Sequence, residues 1–306
     1  MADSRSVVIT GASRGLGLAT AAHLYQRGWT VLAAMRTPAD GMARLRAITS
    51  ASPDDPRLIG VTIDLEDPAS IAGAGAAIRE AVGSPDGLVH NAGLAGVGSL
   101  EEMPQEKWEQ IFATNFFGPL RLTRELLPSM RAAGRGRVVV ISSQGAIRGM
   151  PGIGAYSASK GALERWAESL SQEIAAFGLG VTVLVAGSFK TDILELTQTY
   201  ADPSGPYAIH HEKLERNGRR FLRIAGAPVK FAPAVERALH DRGPYARHGV
   251  GIDAHLLMLG SRVMPGALLQ RIVSRALGMP KPGSLKSGGP LLATSSPDRA
   301  STHREG

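Results

Sequence analysis

The sequence predicts an α/β fold, a doubly wound parallel sheet with helices on both faces. Two observations carry that prediction. Short β-branched runs alternate with longer Ala-rich stretches of helical length, and the connections suit right-handed crossovers. A glycine-rich string follows the first apolar run and opens the first helical stretch, as in sheets of the Rossmann type. The chain has 306 residues, of which 43% are hydrophobic, enough for one large core or two smaller ones.

The apolar runs at 7–10, 30–34, 58–61, 87–90, 137–142 and 181–185 read as buried strands. Helices are expected at 16–27, 41–50, 68–82 and 155–177, and 105–132 is long enough for two. One sheet therefore uses about the first 190 residues. Beyond it, 207–224 is polar and helical, 228–242 is amphipathic, and 255–259 and 265–277 read as two short helices. From residue 279 the Pro, Gly, Ser and Thr content without periodicity predicts a disordered tail to residue 306. Residues 1–278 are thus expected to form one catalytic domain with a helical extension, covered by a variable lid over about 187–226.

Composition narrows the chemistry. There is no cysteine, which excludes disulfides, thiol nucleophiles, zinc–thiolate sites and iron–sulfur clusters. The net charge of +7 comes from 27 Arg and 7 Lys against 27 acids, scattered and with few aromatics, so no nucleic-acid platform is expected. A field attractive to anionic ligands is the reading instead. No basic segment leads into a long apolar one at the N-terminus, and no run of about 18 apolar residues occurs. The expectation is a cytoplasmic protein without a transmembrane segment.

The loop Thr10-Gly11-Ala12-Ser13-Arg14-Gly15-Leu16-Gly17 sits between the first strand and first helix. Gly11 can turn the chain, Gly15 lets backbone approach a pyrophosphate, and Gly17 lets helix and sheet pack closely. The helix N-terminus adds free N–H groups and partial positive charge. The next strand ends in Ala33-Ala34-Met35-Arg36-Thr37, with no acid to bind a ribose hydroxyl. Arg36 with Arg14 suits a 2′-phosphate, which favours NADP(H) over NAD(H).

Tyr156 and Lys160 are four residues apart and share a helix face. An ammonium and an oxidised nicotinamide would both favour the phenolate, lowering a pKa that is ordinarily about 10. Tyr156 could then exchange a proton with a carbonyl or alcohol oxygen, while Ser143 hydrogen-bonds that oxygen.

With these residues in hand the chain resembles the short-chain dehydrogenase/reductase family, and its C-terminal part, with Val250-Gly251-Ile252-Asp253-Ala254 and the helices after it, is similar to the hydroxysteroid- and retinol-dehydrogenase-like members. Residues 10–17 match the family's cofactor loop, Asn91-Ala92-Gly93 its fourth-strand motif, and Tyr156-Ser157-Ala158-Ser159-Lys160 its active-site motif. Ser143 lies 13 residues before Tyr156, the family interval, and Asn115 in Thr114-Asn115-Phe116 matches the fourth tetrad member. The likeness runs from about residue 7 to 192. It implies that Lys160 also holds the nicotinamide ribose and that Asn115 supports a water in a proton relay. It further implies that Asp64 and Leu65 meet the adenine, although Asp64 could equally N-cap the following helix. After the sixth strand Gly187 and Thr191 fit the family's cofactor loop, with Thr191 toward the carboxamide, while Ala186 replaces its usual proline. A homodimer or homotetramer is implied as well.

Other signals are set aside. Arg216, Arg219, Arg220 and Arg223 read as a solvated face, with membrane or acidic-partner contact as the minority reading. His210-His211 reads as exposed helix, and no metal site is expected. Glu101-Glu102 is left unassigned. Met258, Leu259, Val263, Met264, Leu268 and Leu269 read as cover for a core or dimer contact, with a membrane-facing patch as the alternative. The expected function is reversible hydride transfer between NADP(H) and a carbonyl or secondary alcohol, with Leu94, Met150, Ile153, Phe189 and Leu194 as an apolar wall. A catalytically silent nucleotide sensor or scaffold, or a non-redox enzyme on the same fold, are the alternatives.

Overall fold

The computed structural model describes residues 5–190, 198–223 and 225–285, with the side chains of 219–223 outside that description. Continuous apolar runs, buried on both faces, form the sheet interior: β1 (Ser6–Thr10), β2 (Thr30–Met35) and β4 (Gly87–His90). β3 (Leu58–Thr62) lies outside β2, and β6 (Gly136–Ser143) and β7 (Leu179–Ala186) pair over eight residues on the other side of β4. A seventh strand, β9 (Tyr245–Val250), closes that edge. The order is β3-β2-β1-β4-β6-β7-β9, and every pair is parallel. Two residues of β5 (Gly96–Val97) pair separately with β8 (Gln198–Thr199).

Helices cover both faces, forming one α/β domain. α1 (Gly15–Gln26), α2 (Pro38–Thr49) and α9 (Ala232–Leu239) lie over one core, built on Val7, Ile9, Leu24, Leu45, Phe231 and Val235. α3 (Pro68–Val82), α5 (Gly118–Ala133) and α7 (Gly154–Ile174) cover the other, around Val8, Ile78, Leu122, Leu126, Val140 and Leu163. α4 (Gln105–Phe112) leads into α5 through one π-helical turn, Ala113–Phe117. α6 (Gln144–Ile147) is a single turn after β6. α8 (Ala208–Arg223), α10 (Ile252–Val263) and α11 (Gly266–Ala276) complete the helices introduced here.

The strand order reverses between β1 and β4, so their carboxyl ends diverge and leave a crevice. The six expected strands and their crossover helices are present with ends shifted by up to about three residues. Three expectations need correction. β9 was not foreseen, because Tyr-Ala-Arg-His-Gly-Val lacks an apolar run and lies half-exposed at the edge. The helix expected over 228–242 is a 3₁₀ turn, Pro228–Lys230, followed by α9. The short helix expected at 255–259 extends over all of α10. The tail expected from residue 279 lies, from 286 onward, outside the described residues, as do Thr191 and Leu194.

Candidate active site

A cleft of about 680 Å³ opens along the carboxyl ends of the strands. At one end the β1–α1 loop forms its floor. Gly11 and Gly15 have φ of +69° and +54°, the left-handed region that favours glycine. A Cβ at Gly17 would fall 2.3 Å from the Gly11 carbonyl oxygen and 2.5 Å from Asn91 Nδ2, so no other residue fits there. Asn91 holds the loop: its Nδ2 donates to the carbonyls of Thr10 (2.9 Å) and Gly11 (3.3 Å). The Thr10 hydroxyl accepts from the N–H groups of Asn91 and Ala92, both at 3.1 Å. The loop is thus fastened from β4.

The first turn of α1 has no capping side chain and no acidic residue, and the cleft reaches it at Gly15 and Leu16. Those N–H groups suit an anionic ligand. Ser13, Arg14, Arg36 and Arg44 line the same end, and Arg14 and Arg36 are exposed there. Asp40 also lines it. Further along lie Asp64 and Leu65. Asp64 is not the helix cap: Asp67 caps α3 by accepting from the Ala69 N–H at 2.9 Å. Asp64 instead accepts from the Glu66 N–H at 3.0 Å.

The other end of the cleft holds Ser143, Tyr156 and Lys160. Ser143 ends β6 and caps α6, accepting from the Gly145 N–H at 3.2 Å. Tyr156 and Lys160 project from the first turns of α7, with Lys160 Nζ 6.0 Å from the Tyr156 ring centre. Nζ donates to the Ile141 carbonyl at 2.8 Å. Burial pushes the Lys160 ammonium down to about 8, with Glu164 pulling it back up. Burial pushes the Tyr156 phenol up, against a smaller lowering by the Ser143 hydroxyl. This differs from the lowered value expected of the Tyr–Lys pair: in the protein alone, burial outweighs a lysine whose Nζ is turned to the Ile141 carbonyl.

Asn115 is fully buried in the π-helical turn. Its Oδ1 accepts from the Leu94 N–H (2.7 Å), and its Nδ2 donates to the Leu94 carbonyl (2.9 Å) and Ser159 Oγ (3.0 Å). Four residues on stands Pro119, which has no N–H to offer the Asn115 carbonyl in an α-helix. A Cβ on Gly93 would sit 3.5 Å from Lys160 Nζ and 3.7 Å from Asn115 Oδ1, so the fourth-strand motif packs beside both.

Asp253 was not singled out from the sequence. Its carboxylate accepts from Gln144 Nε2 and the Ser188 N–H, both at 2.7 Å, and from the Ala254 N–H at 3.0 Å. Burial raises its pKa, but the bonds from Ser188 and Gln144 outweigh that and hold it below the usual carboxylate value. It occupies the space a Cβ of Gly187 would need, at 2.1 Å. Nothing local marks it, since its partners lie 109 and 65 residues away.

Two further groups lie behind the site. Glu164, one turn beyond Lys160 and buried, accepts from the Ser142 hydroxyl (2.6 Å) and from Nε and Nη2 of Arg247 on β9 (3.1 and 2.9 Å). His90 bonds Thr123 Oγ1 at 2.7 Å and lies buried at the end of β4.

Leu94, Met150, Ile153 and Phe189 of the expected wall do line the cleft, although Phe189 also packs into the core against Phe231. Over the cleft, α8 contributes Gly218, and Leu214 packs on Gly152. His211 is not exposed as expected. It pairs with Glu102, and Tyr207 donates to Glu101 at 2.8 Å, so the unassigned acidic pair and the histidine latch α8 to the 99–104 loop. Of the basic stripe, Arg216 is exposed beside Glu212, and the side chains of Arg219, Arg220 and Arg223 lie outside the described residues. Among the described residues no group of three or more His, Asp or Glu could hold a metal, and no helix is long and apolar enough to cross a membrane.

Comparison with known proteins agrees with this arrangement. Residues 5–201 match the short chain dehydrogenase family. An oxidoreductase of Escherichia coli, YbbO, is 32% identical over 274 residues, covering 88% of this chain and 94% of its own. Retinol dehydrogenase 5 of Homo sapiens is 31% identical over 301 residues, covering 92% and 91%. The crystal structure of a short-chain dehydrogenase from Streptomyces avermitilis superposes with a TM-score of 0.75 at 33% identity, covering 92% of this chain and all of that one. The chain therefore belongs to the short-chain dehydrogenase/reductase family, and is an NAD(P)-dependent oxidoreductase of that family.

Proposed function

We propose that the protein reversibly reduces a lipophilic carbonyl to a secondary alcohol with NADP(H), using Tyr156 as acid and base. The observation that carries this reading is the meeting of Ser143, Tyr156 and Lys160 in one cleft with the uncapped helix N-terminus of the glycine loop. That N-terminus and the close packing at Gly17 fit a dinucleotide pyrophosphate. Gly11, Ser13, Gly15, Leu16, Asn91, Ala92 and Gly93 would hold the dinucleotide, with Asp64 and Leu65 toward the adenine and Gly187 toward the nicotinamide. When bound, the reduced nicotinamide supplies the hydride.

Tyr156 donates its phenolic proton to the carbonyl oxygen while the carbonyl carbon gains the hydride, giving the alcohol. A phenol pushed up by burial is protonated at neutral pH, which suits donation and so the reductive direction. Ser143 hydrogen-bonds the same oxygen as negative charge develops on it. Lys160 holds the ribose hydroxyls and returns a proton toward Tyr156, and the Asn115 turn supports the water that resupplies it. Arg14 and Arg36, exposed on the cleft, bind the 2′-phosphate of NADP(H). The apolar wall of Leu94, Met150 and Ile153 selects a lipophilic substrate, and the name of the human relative points to an alcohol of that character. A homo-oligomer, dimer or tetramer, and a cytoplasmic location belong to the same reading.

The test is consumption of NADPH and NADH over ketones and aldehydes from small to steroid-sized, with Tyr156→Phe alongside. Turnover should fall about a hundred- to ten-thousand-fold in the variant, with NADPH affinity nearly unchanged. An active Tyr156→Phe enzyme removes the acid/base assignment. Tight cofactor binding without turnover on any carbonyl or alcohol would favour a nucleotide sensor.

A further inference from the structure

α10 and α11 carry an apolar surface that no described part of the chain covers. Ile252, Leu256, Leu259 and Val263 recur at i, i+4, i+7 and i+11 along one side of α10, and are 81%, 64%, 58% and 67% exposed. Leu268 and Ile272 continue the surface on α11. The opposite sides face inward through Ala254, Met258 and Leu269, all buried. The expected core-covering role therefore holds for Met258 and Leu269 and fails for Leu259, Val263 and Leu268.

The charge around this surface has one sign. From Ala254 to Leu285 the sequence holds Arg262, Arg271, Arg275 and Lys281 and neither Asp nor Glu. All four cations are exposed. Arg262 borders the apolar side of α10, and Arg275 lies one turn beyond Ile272 and two beyond Leu268.

We propose that α10 and α11 dock the protein on an anionic lipid surface. Helices that lie in a membrane interface combine an apolar side with Lys and Arg beside it, and here the two features coincide, the one carboxylate of the two helices, Asp253, being turned to Gln144 and the Ser188 N–H. A second copy of this chain fits less well. A two-fold contact would set this cationic surface against its own copy, with the one acid of the two helices, Asp253, already held by Gln144 and the Ser188 N–H.

The surface adjoins the rim of the cleft. At the start of α10, Asp253 holds the Ser188 N–H and Gln144. Arg148, between α6 and α7, donates to the Gly266 carbonyl at 3.1 Å, and Asn217 of α8 donates to the Leu277 carbonyl at 2.9 Å. Docking would thus bring the rim of the cleft close to the lipid, where a lipophilic substrate concentrates. That last consequence rests on the proposed substrate class; the docking itself does not.

The test is co-sedimentation of the full chain with vesicles of phosphatidylcholine alone and of an equal mixture with phosphatidylglycerol, at low and high salt. Binding should be about tenfold or more tighter to the mixed vesicles and should weaken in high salt. Leu256→Asp with Val263→Asp should abolish it, and Arg262→Glu with Arg271→Glu should reduce it about tenfold or more, with circular dichroism and carbonyl turnover in solution unchanged. Because the arginine pair lies wholly on the surface, it keeps the test decisive if the leucine–valine variant fails to fold. Wild-type protein left in the supernatant with mixed vesicles overturns the proposal, as does equal binding by either variant. If wild-type stays off the vesicles and light scattering shows an oligomer that Leu256→Asp with Val263→Asp dissociates, the surface is a contact between copies. Because vesicle binding is read directly, its failure and the failure of the oxidoreductase reading are separate results.

Discussion

Arg36 stands where a ribose-binding carboxylate would discriminate against a 2′-phosphate, and Asp40 lines the same end of the cleft. Replacing Arg36 by Asp exchanges attraction for repulsion, so the NADPH/NADH ratio of kcat/KM should fall about tenfold or more. Paired steady-state assays check this, and an unchanged ratio would remove Arg36 from phosphate recognition. His90 makes a different kind of prediction. Burial, with Lys160's charge adding to it, pushes the imidazole down to about 3 from 6.5. Between those values the unfolded chain binds a proton that the folded protein refuses. Stability is therefore full above 6.5 and falls as pH drops toward about 3. His90→Gln should flatten that slope by about 1 kcal/mol per pH unit, read from urea unfolding across the range. Single residues were also the most legible scale. Tyr156 and Lys160 were identifiable because residues four apart share a helix face, the glycine loop because it joins the first strand to the first helix, and Asn91 and Ser143 through the family resemblance. His90, between Val89 and Asn91, shows nothing in sequence of the burial that shifts it.

At the scale of elements, the Asp253 carboxylate joins the start of α10, the turn after β6 and the loop after β7. Those last two carry Ser143 and Gly187. Asp253→Ala removes the acceptor for two 2.7 Å bonds and leaves a space beside Gly187. Cofactor KM should rise and kcat fall, each by about tenfold, while the thermal midpoint changes little. Asp253→Asn should recover part of the loss, because an amide oxygen in the place of Oδ2 still accepts both of those bonds, without the charge. Equal losses in the two variants would point to charge in place of acceptor geometry. Sequence reading stopped short here for a physical reason. Local periodicity reports the burial of one element, whereas Asp253 acts across elements that meet only in the fold. The latch between His211 and Glu102 escaped for the same reason. The π-helical turn escaped for another: Ala113–Phe117 lies inside a stretch expected to be helical, and the extra residue per turn shows only in the bonding of the backbone.

Across the whole molecule, the seven-stranded sheet is one parallel surface whose last strand is tied to α7 by the pair of buried Glu164 and half-buried Arg247. Removing only one partner strands a charge. Arg247→Met should lower unfolding stability by about 3 kcal/mol in chemical denaturation, and the double variant Glu164→Gln with Arg247→Met should recover most of that. A double variant as unstable as the single one would mean that Arg247 acts through packing alone. A doubly wound parallel sheet was expected from alternation of strands and helices, and six strands fell into place on that basis. β9 did not, because an edge strand needs neither apolar run nor alternation when its inner neighbour, β7, supplies the burial.

The position of β9 also sets a timetable. β7 must wait for a partner that follows after roughly sixty residues of intervening chain. Until then a growing polypeptide has an open apolar strand edge, and Glu164 sits against the sheet without its guanidinium. The glycine loop, by contrast, is fastened by β4 once about ninety residues have been made. The end of the cleft that grips a nucleotide can therefore take shape early in synthesis, and the end that carries the hydroxyl, phenol and ammonium is completed last.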